Sequence, residues 1–182
     1  MSRSVRIRLA VACSATATLL ACAHGDVESR LQALEREADR QAVVRLIHQY
    51  AQGIDGGDQA LLRRTFLPDA VAEYRGVNFP MDVRLEGIAA IWDWLNAQLA
   101  DREGAMPWHY MDTELVDVEG DRAHMTVYQH NRLLSGVGVY TVDAVRTEAG
   151  WRIEKLHLDE RILDPKLLED VHTPETRERI QR

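Results

Sequence analysis

Residues 120–161 read GDRAHMTVYQHNRLLSGVGVYTVDAVRTEAGWRIEKLHLDER. Apolar residues here fall at every second position, as in Ala123, Met125 and Val127. That is the period of a strand with one face buried and one wet. Two turn signals, Gly120-Asp121 and Ala149-Gly150, punctuate the run. The spacing predicts strands over Ala123–Leu134, Gly138–Thr147 and Trp151–Arg161, preceded by another over Trp108–Val118.

Upstream of Gly104 the period is 3.6 instead of 2. Leu31, Leu34 and Ala38, then Val43, Leu46, Ile47 and Tyr50, recur at helical steps and predict a helix from Val27 to about Ile54. Gly53, Gly56 and Gly57 read as its end. Asp58 is placed to cap a second helix, Gln59 to Phe66, which Pro68-Asp69-Ala70 breaks. A short strand, Val71–Tyr74, and a loop holding Gly76 and Pro80 follow. A third helix opens at Gly87-Ile88 and runs to about Leu99, with Ile88, Ile91, Trp92, Leu95 and Leu99 on one face. Helices followed by a run of antiparallel strands make an α+β plan, not a βαβ one.

The chain has 182 residues, 46% hydrophobic and 28% charged, with net charge −7. That suits one folded domain. No basic face is visible, so a nucleic-acid partner is not expected.

The first 23 residues have a different composition. Arg3, Arg6 and Arg8 precede an apolar run from Leu9 to Leu20 that is too short to span a bilayer. This is the layout of a cleaved signal peptide, residues 1–21. Leu19-Leu20-Ala21-Cys22 resembles the lipobox of bacterial lipoproteins, which implies lipidation at Cys22. The Ala23 that follows points, within that resemblance, to the outer membrane facing the periplasm. Ala21-Cys22-Ala23 also fits ordinary signal cleavage, which would release the protein to the periplasm. Either way no disulfide is expected, because Cys13 lies inside the signal. Residues 22–35 read as anchor and helical spacer, 36–163 as the domain, and 164–182, with Pro165 and Pro174, as a polar arm.

Several pieces, in order, carry a family likeness. They are Ile47-His48-Gln49-Tyr50-Ala51 leading to Asp55, Gly57-Asp58, Phe66-Leu67-Pro68-Asp69-Ala70, Gly87-Ile88, Trp108-His109, Gly120-Asp121-Arg122-Ala123 and Gly150-Trp151-Arg152-Ile153. Together they resemble the SnoaL-like branch of the NTF2-like superfamily. The resemblance implies a cone-shaped, curved antiparallel sheet wrapped around the N-terminal helices, with an apolar cavity. It also implies a homotrimer or homodimer. The superfamily holds dehydratases, isomerases and cyclases beside non-catalytic binders, so fold alone does not give function.

Taken alone, Asp55 is a helix-end carboxylate and His109 a packed aromatic neighbour. The resemblance to bile-acid dehydratase-like and scytalone dehydratase-like enzymes makes His109 a general base and Asp55 the residue that orients it. A neutral imidazole takes a proton near neutral pH, and a carboxylate on its other nitrogen fixes the tautomer. In the same resemblance Tyr50, five residues before Asp55, donates to an enolate oxygen or a leaving hydroxyl and favours loss of water over loss of halide. On a straight helix that offset separates the side chains by about 140°. Their convergence therefore calls for unwinding near Gly53. Trp92, Trp108, Met111, Met125, Val127 and Tyr140 are the expected cavity lining. Of His130, Asn131, His157 and Arg161, one or two are expected to face it. The seven His and two Cys show no metal-ligand spacing, and no cofactor is expected. The expected partner is a small, hydrophobic, steroid-like or polycyclic hydroxy-ketone, lost water being the product. An isomerase or cyclase with the same dyad, and a lipid-anchored binding module, are the alternatives.

Overall fold

The computed structural model describes residues 4–98, 108–131 and 136–163, with side chains from Asp26 onward. The expected arm from Asp164, the helix end at Leu99 and the strand end at Leu134 lie outside the described residues. The chain divides into two units, Met1–Asp39 and Arg40–Arg182. Helix α1 spans Ser4–Gly56. Within the first unit Val27, Leu31 and Leu34 are exposed. No helix among the described residues is long and apolar enough to cross a membrane.

In the second unit α1 ends three residues later than Gly53. The Asp58 amide donates to the Gly53 carbonyl at 2.8 Å, and the Gly57 amide donates to the Ile54 carbonyl at 3.4 Å. Gly57, at φ +67°, supplies the left-handed turn this Schellman closure needs. Gly53 does different work. A Cβ there would meet Leu62 Cδ1 at 2.2 Å, so the glycine lets α2 (Gln59–Thr65) lie close against α1. Asp58 caps α2 as expected, its carboxylate accepting from the Leu61 amide at 2.9 Å.

The strands are β1 (Phe66–Gly76), β2 (Asp82–Glu86), β3 (His109–Glu119), β4 (Arg122–Asn131), β5 (Gly136–Thr147) and β6 (Gly150–Ile162), with α3 (Ile88–Gln98) between β2 and β3. They form one curved sheet in the order β2-β1-β6-β5-β4-β3. Neighbours are antiparallel except β1 and β6, which run parallel. Two sequence expectations change here. β1 is longer than Val71–Tyr74, because a register shift between Phe66 and Val71 absorbs Pro68. The segment read as a loop contains β2, a short strand whose alternate residues are at most half-buried and so left a weak apolar signal.

The core is the concave face of the sheet. Met125 and Val127 on β4, Tyr140, Val142 and Ala144 on β5, and Leu156 and Leu158 on β6 point inward and are buried. They meet Val43, Ile47, Tyr50 and Ile54 of α1 and Ile88, Ile91 and Leu95 of α3 in one cluster. Each large buried side chain contributes about 1.5–3 kcal/mol. On β3 a bulge between Asp112 and Leu115 lets both Met111 and Val116 face inward although the step from one to the other, from position 111 to 116, is odd. This sets the phase in which His109 looks toward the core.

Candidate active site

His109 opens β3, and Asp55 lies in the last turn of α1. The Asp55 carboxylate grips His109 at two points. Oδ2 accepts from the His109 backbone amide at 2.9 Å, and Oδ1 lies 2.7 Å from Nδ1. An ionised carboxylate only accepts, so Nδ1 carries the hydrogen and the lone pair of the neutral ring is on Nε2. The two side chains are 17% and 15% exposed, so water screens the pair little.

His109 lines a cavity of about 290 Å³ that opens to solvent. Tyr50, Tyr74 and Tyr140 line it as well. Their hydroxyls form a chain: Tyr50 Oη lies 3.2 Å from Tyr74 Oη and 3.4 Å from Tyr140 Oη. Two contacts use two of three O–H hydrogens, which leaves one for a ligand. Burial pushes the Tyr50 phenol well above its ordinary value, and the neighbouring Tyr140 adds to the rise. Burial does the same to Tyr74 and Tyr140. All three therefore stay protonated donors. Packing fixes their rings: Tyr50 stands edge-on to Phe66 and Tyr140, and Tyr74 stacks on Trp94 at 4.6 Å.

Tyr50 and His109 share the cavity without any unwinding of α1. Tyr50 and Ile54 are one helical turn apart and both line it. Asp55 is one step further round and is not a lining residue; its carboxylate sits behind His109. The link from Asp55 to the cavity is thus the imidazole itself.

The apolar lining differs from the sequence expectation. Of the six residues named, Tyr140 lines the cavity. Met111, Met125 and Val127 are buried in the core, because the cavity occupies one end of the concave face and they lie deeper in it. Trp92 packs against the core from the α2 side, beside Gln59. Trp94, two residues on, faces the cavity instead. Trp108 precedes β3 and is 46% exposed. Leu95, Leu158, Ile162, Met81 and Phe79 complete the apolar wall.

Four polar residues at the cavity were missed or half-seen: Gln98, Gln129, Asn131 and Glu160. Asn131 is the one of the four polar strand residues that faces inward. His130 stacks on Tyr110, His157 sits between Glu73 and Asp159, and Arg161 is exposed. Glu160 continues the inward row Leu156, Leu158, so it, not Arg161, carries the charge into the cavity. Burial raises the Glu160 carboxyl above the usual value, and the charge of protonated His109 partly offsets this. No group of three or more His, Cys, Asp or Glu among the described residues is arranged to hold a metal ion.

A family model described as SnoaL-like domain matches residues 35–157. The chain belongs to the SnoaL-like family. No curated protein matches it. Solved structures agree on the fold. An NTF2-like protein with a cystatin-like fold from Novosphingobium aromaticivorans is 28% identical, with TM-score 0.51, covering 83% of this chain and 92% of that one. The Kfla4162 protein from Kribbella flavida is 22% identical, with TM-score 0.56, covering 69% and 92%. A candidate ketosteroid isomerase from Shewanella frigidimarina is 14% identical, with TM-score 0.51, covering 65% and 94%. This SnoaL-like domain therefore shares its curved sheet with proteins of varied description, and its own residues must carry the functional argument.

Proposed function

We propose that this SnoaL-like protein is a cofactor-independent dehydratase that removes water from a compact hydrophobic hydroxy-ketone. The observation that carries the reading is the ring of His109 lining an apolar cavity with Asp55 bonded to Nδ1. Nε2 takes the hydrogen from the carbon beside the carbonyl, and Asp55 stabilises the imidazolium that forms. The one hydrogen that the Tyr50–Tyr74–Tyr140 chain leaves over is donated to the enolate oxygen. Because its pKa is raised, Tyr50 serves as a hydrogen-bond donor and not as a proton source. The cavity, about 290 Å³, sits at the small end of ligand pockets. One or two rings suit it better than a full steroid skeleton, unless part of the substrate protrudes through the mouth.

The test is mass analysis after incubation with one- and two-ring β-hydroxy-ketones in D₂O. Loss of water supports the dehydratase. Deuterium uptake or double-bond migration without loss of water supports an isomerase, which the phenol cluster would serve equally well. Neither outcome, across the panel, overturns the catalytic reading in favour of a binding module.

We also propose that the chain is exported and anchored through Cys22 in the outer membrane, facing the periplasm, and that it assembles as a homotrimer or homodimer. Labelled palmitate should be incorporated by the wild type and lost in Cys22→Ser. Sedimentation of residues 36–182 reads the assembly.

A further inference from the structure

The dehydratase reading leaves one proton unassigned. A departing hydroxyl must be protonated to leave as water, and the phenols hold their hydrogens too tightly to supply it. The concave face offers another group. The sheet register sets Gln129 on β4 opposite Gly138 on β5, and Gly138 opposite Glu160 on β6. The next inward row holds His109 opposite Asn131, and Gly136 opposite Ile162. β5 thus presents two glycines where the flanking strands present an amide and a carboxyl.

Those glycines are a cradle. A Cβ on Gly136 would stand 2.7 Å from Glu160 Oε1 and 3.2 Å from Asn131 Nδ2. A Cβ on Gly138 would stand 3.2 Å from Gln129 Nε2 and 2.7 Å from Leu158 Cδ1. Any side chain on β5 here would fill the space between the carboxyl and the amides. Gln129 is 5% exposed, and its Oε1 is buried without a hydrogen-bond partner among the described residues. Leaving a buried acceptor without a partner is costly, and a bound donor would return that cost. Gln129, Asn131, Glu160 and His109 line one cavity.

We propose that Glu160 is the general acid of the elimination and that the substrate's departing hydroxyl docks over Gly136 and Gly138, donating its hydrogen to Gln129 Oε1. This rests on the dehydratase reading and deepens it. The step balances. His109 Nε2 takes the α-hydrogen, the electron pair of that C–H bond becomes the new C=C bond, and the C–O bond breaks. The carboxyl hydrogen of Glu160 passes to the departing oxygen, which leaves as water. The enzyme is left with an imidazolium and a carboxylate in one cavity, and a proton returning from His109 to Glu160 resets it. Burial favours the protonated carboxyl at the start of the cycle, and the positive His109 favours the carboxylate at its end.

The experiment compares wild type, E160Q and Q129L on β-hydroxycyclohexanone, β-acetoxycyclohexanone and cyclohexanone. Acetate leaves without a proton, and cyclohexanone reports α-hydrogen exchange alone. E160Q should lose water elimination by about a hundredfold to ten-thousandfold. It should keep acetate elimination and α-hydrogen exchange near wild type. Equal loss on all three probes, or undiminished water elimination, overturns the proposal. If the wild type eliminates from neither ester nor alcohol, the dehydratase reading itself has failed. Calorimetry then still tests the docking site: wild type should bind the hydroxy-ketone at least about tenfold more tightly than cyclohexanone, and Q129L should not. Absence of that preference in the wild type overturns the docking site.

Discussion

Two histidines on this sheet hold an aspartate at nearly the same distance. His109 Nδ1 lies 2.7 Å from Asp55, and His124 Nδ1 lies 2.8 Å from Asp143. The first pair has side chains 17% and 15% exposed, the second 55% and 41%. Only the first is also held through a backbone amide, and only its histidine lines the apolar cavity. The second lies across two neighbouring strands on the outer face, in water. Separation alone therefore does not make a site. Low exposure strengthens the first interaction, the second anchor fixes the ring, and the cavity gives the free nitrogen something to act on.

The comparison breaks most sharply by removing each histidine in turn. H109A should lower kcat/KM by about a thousandfold with the fold intact by circular dichroism, while H124A stays within about twofold. D55N keeps the shape but loses the acceptor that selects the tautomer. It should cost about a hundredfold in kcat, and D143N nothing measurable. Y50F, which removes one phenol from the donor chain, should lower kcat about tenfold with little change in KM.

The same contrast appears within one strand. Asp159 and Glu160 are adjacent and face opposite sides. Hydrogen bonding to Arg75 lowers the Asp159 carboxyl below its ordinary value, whereas burial raises Glu160. Carbon NMR should show the two titrating on opposite sides of their ordinary values. The signs for stability are opposite too. The contribution of Asp159 is present above its unfolded value and lost as pH falls through its folded one. That of Glu160 is present below its unfolded value and lost as pH rises through its folded one. E160Q should therefore gain stability relative to wild type as pH rises from about 4 toward neutrality. The smallest effect belongs to the outer pair: H124A should change stability by less than about 0.5 kcal/mol in denaturant unfolding.

Much of this was readable in the sequence, for identifiable reasons. Strands β3 to β6 announced themselves by alternation, and α2 by its Asp58 cap. Asp55 and His109 came from ordered motifs, not from periodicity, since 54 residues separate them. The lining was harder. Alternation says which residues of β4 turn inward but not which inward residues border space, so it does not distinguish Met125 and Val127, in the core, from residues of the cavity wall. Trp94 lost to Trp92 because α3 buries two faces. Glu160 was hidden by parity: the shift between Asp143 and Ala144 in the β5–β6 register breaks the count along β6. The alternation of Leu156, Leu158 and Glu160, past that shift, is regular.

In the proposed reaction one proton moves from substrate carbon to His109. Its most direct measurement is deuterium exchange at the α-carbon of cyclohexanone in D₂O, followed by proton NMR with wild type, H109A and H124A. The prediction is rapid exchange with wild type and H124A and none above background with H109A. Exchange that survives H109A, or is lost in H124A to the same degree, would contradict it.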